Sequence, residues 1–354
     1  MTAVRLAHLG GGRAWLRRCV GTPLNAALTA AALGLLALAL PPLLRWAVLD
    51  AVWSGPPSAC RGAAGACWAF IAAKLRFILV GLYPPAAAWR AVAAAGLLGG
   101  LVLLSAHPRL WRPWLLGAWA AGLAATLWLL GGGGGLEPVA SRLWGGLPLT
   151  LLLTAGGLVA GFPLGVALAL ARRSRRRTPR LLATVVIETV RGLPLIVILY
   201  VASLVFPLML PGGISVDKLL RAGAGMTLFA AAYIAEAVRA ALQAVPRGQA
   251  EAALSLGLRP TLVLLLVVLP QGLKMAIPSL VTIAIGFFQD TSLVAVIGVF
   301  DLLNTTRAAT LDSEWLGFHD EAYSFVAAVY FVVCAAASHY GLWLERRLNP
   351  ERRR

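Results

Sequence analysis

Acidic side chains are scarce in this chain. Of 354 residues only 14 are Asp or Glu, against 31 Lys or Arg, and charged residues of both signs make up 13%. A soluble domain carries roughly a quarter. With 60% hydrophobic residues and a mean hydropathy of +0.82, the shortage argues against a water-soluble globule and for lipid. Histidine is short as well: His8, His107, His319 and His339 are widely dispersed, so no H-E-x-x-H zinc site and no nucleophile–base pair emerges. The G-x-x-x-x-G-K-[ST] phosphate loop is missing too. The run Gly131 to Gly135 has no lysine and cannot cradle ATP phosphates. No catalytic residue, metal site or bound cofactor is therefore expected. If this chain works against a gradient, the fuel is burned on another chain. The four cysteines match no zinc spacing.

What the chain has instead is long apolar runs. Crossing a bilayer core takes about 20 apolar residues, and eight such stretches lie near 26–49, 90–107, 114–132, 147–171, 181–210, 219–242, 273–300 and 323–343. The first is too long for a signal-peptide core and reads as a retained helix. The expected fold is an all-α integral membrane protein. With both termini placed in the cytoplasm, and residues at the edges of spans 90–107, 219–242 and 273–300 counted with the adjoining stretch, 20 Lys/Arg fall in inner stretches, eight in outer stretches and three within spans. That is the positive-inside bias. Six of the inner ones crowd into Arg172–Arg180, a topology anchor that also attracts anionic lipid headgroups. The +17 net charge does not signal nucleic acid, because no basic face with stacking aromatics exists on a soluble fold. In this topology residues 50–89 lie outside, their aromatics and cations suiting an interfacial helix, and there a Cys60–Cys67 disulfide is permitted. Cys19 and Cys334 have no partner. The acidic stretch 301–322 is also outer, as a solvated loop or as a docking surface. The glycine run reads as a flexible hinge. The chain divides into an extension, 1–139, with about three spans, a five-span domain, 140–347, and a basic tail, 348–354.

Polar punctuation gathers in the second part. Pro246 can open a short helix, Gly257 can close it in a left-handed cap, and Pro260 can open the next. Glu251, Ala252 and Ala253 then sit in the last turns of that helix, the two alanines forming a low face for another protein's groove. Inside the spans, Glu188 with Arg191 and Glu236 with Arg239 share the i, i+3 spacing that lets each pair neutralise itself. They are either structural ion pairs or the lining of a path. Asp290, followed by Thr291 and Ser292, stands near mid-span, where short polar side chains compete for backbone groups. It can meet a substrate ammonium or a neighbouring helix's arginine. Pro194 bends the span that it interrupts.

The order Glu251-Ala252-Ala253, Gly257, Leu269-Pro270 resembles the E-A-A signature of ABC importer permeases. The resemblance extends through Glu188–Leu195, Ala232–Ala240, Gln243–Gln249, Leu269–Lys274 and Asp290–Gly298. From Trp144 to Arg347 the chain is similar to permeases of polar amino-acid importers of the histidine/glutamine type. Its N-terminal addition and Leu344–Leu348 look like the larger permeases of general L-amino-acid systems. The resemblance implies a five-helix ABC importer permease core at the C-terminal side of the chain. It also implies a second permease subunit, an ATPase dimer that binds the ATP, and an extracytoplasmic amino-acid-binding protein, all at the bacterial inner membrane. Glu251, Ala252, Ala253 and Gly257, in a loop over 243–272, then form the helix that sits in an ATPase groove. One departure stands out: Gln289 occupies a position where these permeases often carry lysine. A secondary transporter driven by an ion gradient is the rival reading, and it lacks the inverted repeat that it would need.

Overall fold

The computed structural model describes residues 19–211 and 215–348. The arginines before position 19, and all of the basic tail but Leu348, lie outside that range. The described chain forms two compact units that divide at Ala73.

The first unit begins with α1 (Pro23–Leu44), whose N-cap Thr22 accepts a hydrogen bond from the Asn25 amide. No residue of helix α1 or of the π-turns that continue it to Leu49 is fully buried. Residues 50–67 then fold tightly. The Trp68 indole donates to the Ala47 carbonyl at 2.7 Å. Gly65 passes so close to Asp50 that an added Cβ would stand 2.1 Å from its carbonyl oxygen. The Cys60–Cys67 disulfide is formed. Helix α2 (Trp68–Val80), 13 residues long, is too short to cross a bilayer.

In the second unit α3 (Ala88–Ser105) and α4 (Trp114–Gly131) pack as a hairpin beside α5 (Gly146–Arg172). The expected hinge after α4 is a held turn. Gly132 to Gly135 all have positive φ, and the Trp128 indole donates to the Gly133 carbonyl. The buried Arg90 donates to the carbonyls of Leu129 (2.6 Å) and Glu137 (2.9 Å). An L side chain resists that backbone, so four consecutive glycines serve a fixed shape rather than looseness.

Helix α5 runs parallel to α8 (Lys218–Ala244), the most extensive packing in the molecule. Gly157, Gly161 and Gly165 form one stripe on α5. A Cβ at Gly161 would meet Ala230 at 3.1 Å, and one at Gly165 would meet Ile234 at 2.7 Å. Small residues at this spacing let backbones approach where lipid gives no hydrophobic drive to association. One end of the bundle holds Gly145, Asp217 and Asp301; the other holds Arg172, Glu236 and α9 (Arg247–Ser255).

Among the described residues seven helices are long and apolar enough to cross a membrane. The expected span over 181–210 is not a straight helix. It is α6 (Arg177–Gly192) followed by α7 (Leu195–Tyr200) and its continuation to Met209, bent by 106°. Proline excludes the preceding residue from helical geometry, and Leu193 is extended, with φ −105 and ψ 138. The span expected at 273–300 begins earlier, at Pro260, so 260–272 is span rather than loop. Its π-turns, Val263–Val268, lead into α10 (Leu269–Asp290), and those at Val201–Val205 stand just ahead of Pro207. Wider turns accommodate a residue that neither donates an amide nor tolerates the carbonyl four residues back. Helix α11 (Leu302–Ala309) precedes α12 (His319–Leu348).

Candidate functional site

Helix α8 ends in two extended residues, Val245 and Pro246, and the chain turns into α9. Gly257 has φ +82. Its amide donates to the Leu254 carbonyl and the Leu258 amide donates to that of Ala253, which is the Schellman closure expected of this glycine. The two alanines part company. Adjacent positions on a helix lie about 100° apart, so Ala252 is exposed while Ala253 is buried with Ala250 and Leu258 against the chain's own core. A shared alanine face is thus not what α9 presents. Its outer surface carries Glu251, Leu254 and Leu256, the last 83% exposed. Sequence reasoning passed over both leucines. The signal was available: apolar residues in a charged loop, one of them three positions after Glu251.

Above α9, three helices bring five charges together. Glu236 on α8 accepts from Arg239 Nε at 2.9 Å and from Arg172 Nη1, at the end of α5, at 3.3 Å. Arg191 Nη1 on α6 stands 3.9 Å from the same carboxylate. The Glu236–Arg239 pair forms as its spacing predicted. The Glu188–Arg191 pair does not. Glu188 meets Arg172 Nη2 at 2.6 Å, and the Arg191 guanidinium lies 5.5 Å over the Tyr233 ring. Spacing places two residues on one face, but Arg172 arrives from another helix with a separate nitrogen for each glutamate. That bidentate bridge decides the pairing. Arg172, read as part of a topology anchor, is the centre of the cluster. The cluster lies at the helix ends rather than deep in the bundle.

Asp290, Thr291 and Ser292 are elsewhere. Gly272 of α10 packs on Leu242 near the cluster, and Asp290 lies eighteen residues on, about 27 Å along the helix. There α10 tightens into 3-10 turns, Thr291–Ile297. Thr291 is buried and donates to the Phe288 carbonyl at 2.7 Å. Ser292 is half-buried. Asp290 is half-buried and, among the described residues, makes no ion pair, so the arginine, one of its two alternatives, is not found there. Gln289 turns to the Cys334 sulfur at 3.6 Å. Leu195 and Leu199 of α7 pack against these 3-10 turns. The short helix that follows the break thus meets the 3-10 turns, irregular backbone of a kind tolerated at membrane depth where it is buried or lines a water-filled path.

The end opposite the charge cluster is closed by tight contacts. Gly146, at φ +65, passes Leu79 with no space for a Cβ. The buried Asp301 caps α11, accepting from the amides of Leu303 (3.1 Å) and Asn304 (3.0 Å). Burial, partly offset by those amides, raises its carboxyl to about 6. Lys74 binds Asp312 at 2.6 Å and holds that carboxyl below its ordinary value.

An all-helical bundle with a broken span, irregular backbone in its interior and a short exposed helix hung below it defines a permease, the membrane-embedded part of a transporter. The chain belongs to the family described as binding-protein-dependent transport system inner membrane component, whose model matches residues 161–350. It is an ABC transporter permease subunit of the inner membrane. It is 44% identical to the inner membrane amino-acid ABC transporter permease protein YhdY of Escherichia coli (strain K12), over 93% of this chain and 90% of that one. It is 35% identical to the glutamate/glutamine/aspartate/asparagine transport system permease protein BztC of Rhodobacter capsulatus, over 97% and 95%. A crystal structure of an amino acid ABC transporter with histidines superposes with a TM-score of 0.51 at 31% identity, covering 56% of this chain and 90% of that chain.

Proposed function

We propose that this permease carries L-amino acids inward, powered by ATP that a separate ATPase dimer binds and hydrolyses. A second permease subunit completes the path, and an extracytoplasmic binding protein delivers the substrate. Both termini and α9 lie on the cytoplasmic side, in keeping with the placement of Lys and Arg. Residues 1–139 are an extension and 140–347 the transport domain. The observation that carries this reading is α9: a capped helix that exposes Glu251, Leu254 and Leu256 and is joined to α8 through only Val245 and Pro246. Such a helix is built to be held from outside the bundle. The ATPase groove closes on Glu251, Ala252 and the two leucines, Gly257 fixes the corner, and Ala253 holds α9 to the bundle.

The charge cluster of Glu188, Arg191, Glu236, Arg239 and Arg172 ties α5, α6 and α8 directly above α9. It transmits the stroke and does not touch substrate. Recognition falls to Asp290, Thr291 and Ser292, where a carboxylate with no ion pair among the described residues stands at the start of the 3-10 turns and suits the ammonium group of an amino acid. Movement is a rigid-body rocking of spans. The test is uptake into proteoliposomes carrying the whole transporter. Leu256→Glu and Glu251→Lys are expected to leave assembly of the bundle intact and to abolish ATP-driven uptake. Normal uptake by both variants would overturn the role of α9. Asp290→Asn is expected to lower uptake while leaving basal ATP hydrolysis intact.

A further inference from the structure

We propose that the groove between α4, α5 and α8 binds a phospholipid, with one acyl chain lying along Gly156 and Gly223 and the phosphate resting against Arg142 and Lys218. The groove holds about 540 Å³ and is lined at one end, its mouth in this proposal, by Ser141, Trp144 and Asp217. Its walls are leucines from three spans. Along α5 it runs from Leu152 to Leu164, about 18 Å, which is more than half of a hydrocarbon core about 30 Å thick.

Two glycines in its lining are not set by helix contact. Gly161 and Gly165 sit where a methyl group would strike α8. Gly156 has nothing within 4 Å of an added Cβ, and Gly223 has only a Leu153 methyl at 3.9 Å. Glycine weakens a helix relative to alanine, and helix contact does not require it at these two places. What the two glycines preserve is the width of the groove.

The mouth is charged to suit a phosphodiester. A hollow of about 130 Å³ shares Ser141, Trp144 and Asp217 with the groove and adds Arg142 and Lys218. Arg142 is exposed and makes no hydrogen bond or ion pair among the described residues. Lys218 donates once, to the Ile297 carbonyl at 3.0 Å, and an ammonium group has two further donors. Asp217 is already engaged by Ser141 and by the amides of Leu219 and Leu220. The Trp144 indole, bonded to the Val139 carbonyl, sits beside them, as tryptophan does at headgroup level. An apolar trench whose end carries two cations and one hydrogen-bonded carboxylate, a net positive charge, suits a phospholipid with its phosphate at that end.

The test uses the full chain in its transporter complex, in vesicles of phosphatidylethanolamine and phosphatidylglycerol. A trace of phosphatidylglycerol with a diazirine on one acyl chain serves as probe. After illumination, adducts are expected to concentrate on peptides 152–164 and 219–228, above those on the exposed α12 face at Phe331 to Val333. Gly156→Leu with Gly223→Leu is expected to lower the groove adducts about tenfold, the loss that about two methylenes of burial would give. Arg142→Gln, a surface change that the fold tolerates, is expected to lower them about fivefold. The α12 adducts should not change in either variant. Groove labelling no stronger than on α12, or indifferent to both variants, would mean ordinary bilayer contact and overturn the proposal. Chain-to-chain crosslinks through the groove would overturn it too, assigning the groove to a protein partner.

Discussion

Arg172→Gln removes the residue that bridges two glutamates, and the structure predicts how unequal the two losses are. The shorter contact, 2.6 Å to Glu188, involves a carboxylate that is 54% exposed; the longer, 3.3 Å to Glu236, involves one that is 23% exposed. Exposed ion pairs contribute about 0–1 kcal/mol, whereas a sheltered hydrogen bond to a charged group contributes about 1.5–3 kcal/mol. Burial therefore outweighs distance, and most of the cost should come from Glu236. Arg239 still holds Glu236, so the variant should stay short of the roughly 3–5 kcal/mol that follows when a buried charge is orphaned. We expect a loss of about 2–3 kcal/mol, measured by denaturant unfolding of the detergent-purified chain. A double-mutant cycle separates the terms: coupling of about 1–2 kcal/mol between Arg172→Gln and Glu236→Gln, and about 0.5 kcal/mol between Arg172→Gln and Glu188→Gln. Equal couplings, or a stronger one to Glu188, would refute the reasoning, as would a single variant costing less than about 0.5 kcal/mol.

Gly257→Ala meets no neighbouring atom but must hold φ +82, at a cost of about 1–2 kcal/mol. It should slow uptake without changing membrane insertion, and Gly257→Asn should be milder. Asp301 titrates near 6 when folded, above its ordinary 3.8, so the folded chain binds that proton more tightly. Its contribution of about 3 kcal/mol is present below pH 4 and is lost as pH rises through 6. Asp301→Asn keeps a capping side chain and should flatten that part of the unfolding-temperature profile relative to the parent. Gly165→Leu would drive a side chain into Ile234 and the Ala231 carbonyl and should abolish accumulation of the chain in the membrane, read by immunoblot.

Local punctuation was the most legible part of the sequence. Pro246, Gly257 and Pro260 each act as their chemistry requires, because caps and proline effects are decided within a few residues. Seven of the eight spans were legible for a similar reason, since length and apolarity are properties of one segment. The break at Leu193 was half legible: Pro194 announced a bend, but its size depends on what α7 packs against. The partner of Glu188 was not legible at all. Spacing says which residues share a helix face, while only the fold says that Arg172 arrives there. Ala253 was misjudged because adjacency in sequence is not adjacency on a helix. The stripe Gly157, Gly161, Gly165 was open to view and was passed over among so many small residues.

That stripe has a mechanical consequence. Two helices that touch backbone to side chain without a methyl's clearance cannot slide past one another, so α5 and α8 form a single stiff spar. Travel must then be taken up where the backbone leaves helical geometry, at the exposed Leu193–Pro194 break and at Val245–Pro246 above α9. In the proposed function, a push on the short helix then becomes a swing of the broken span about these two pivots.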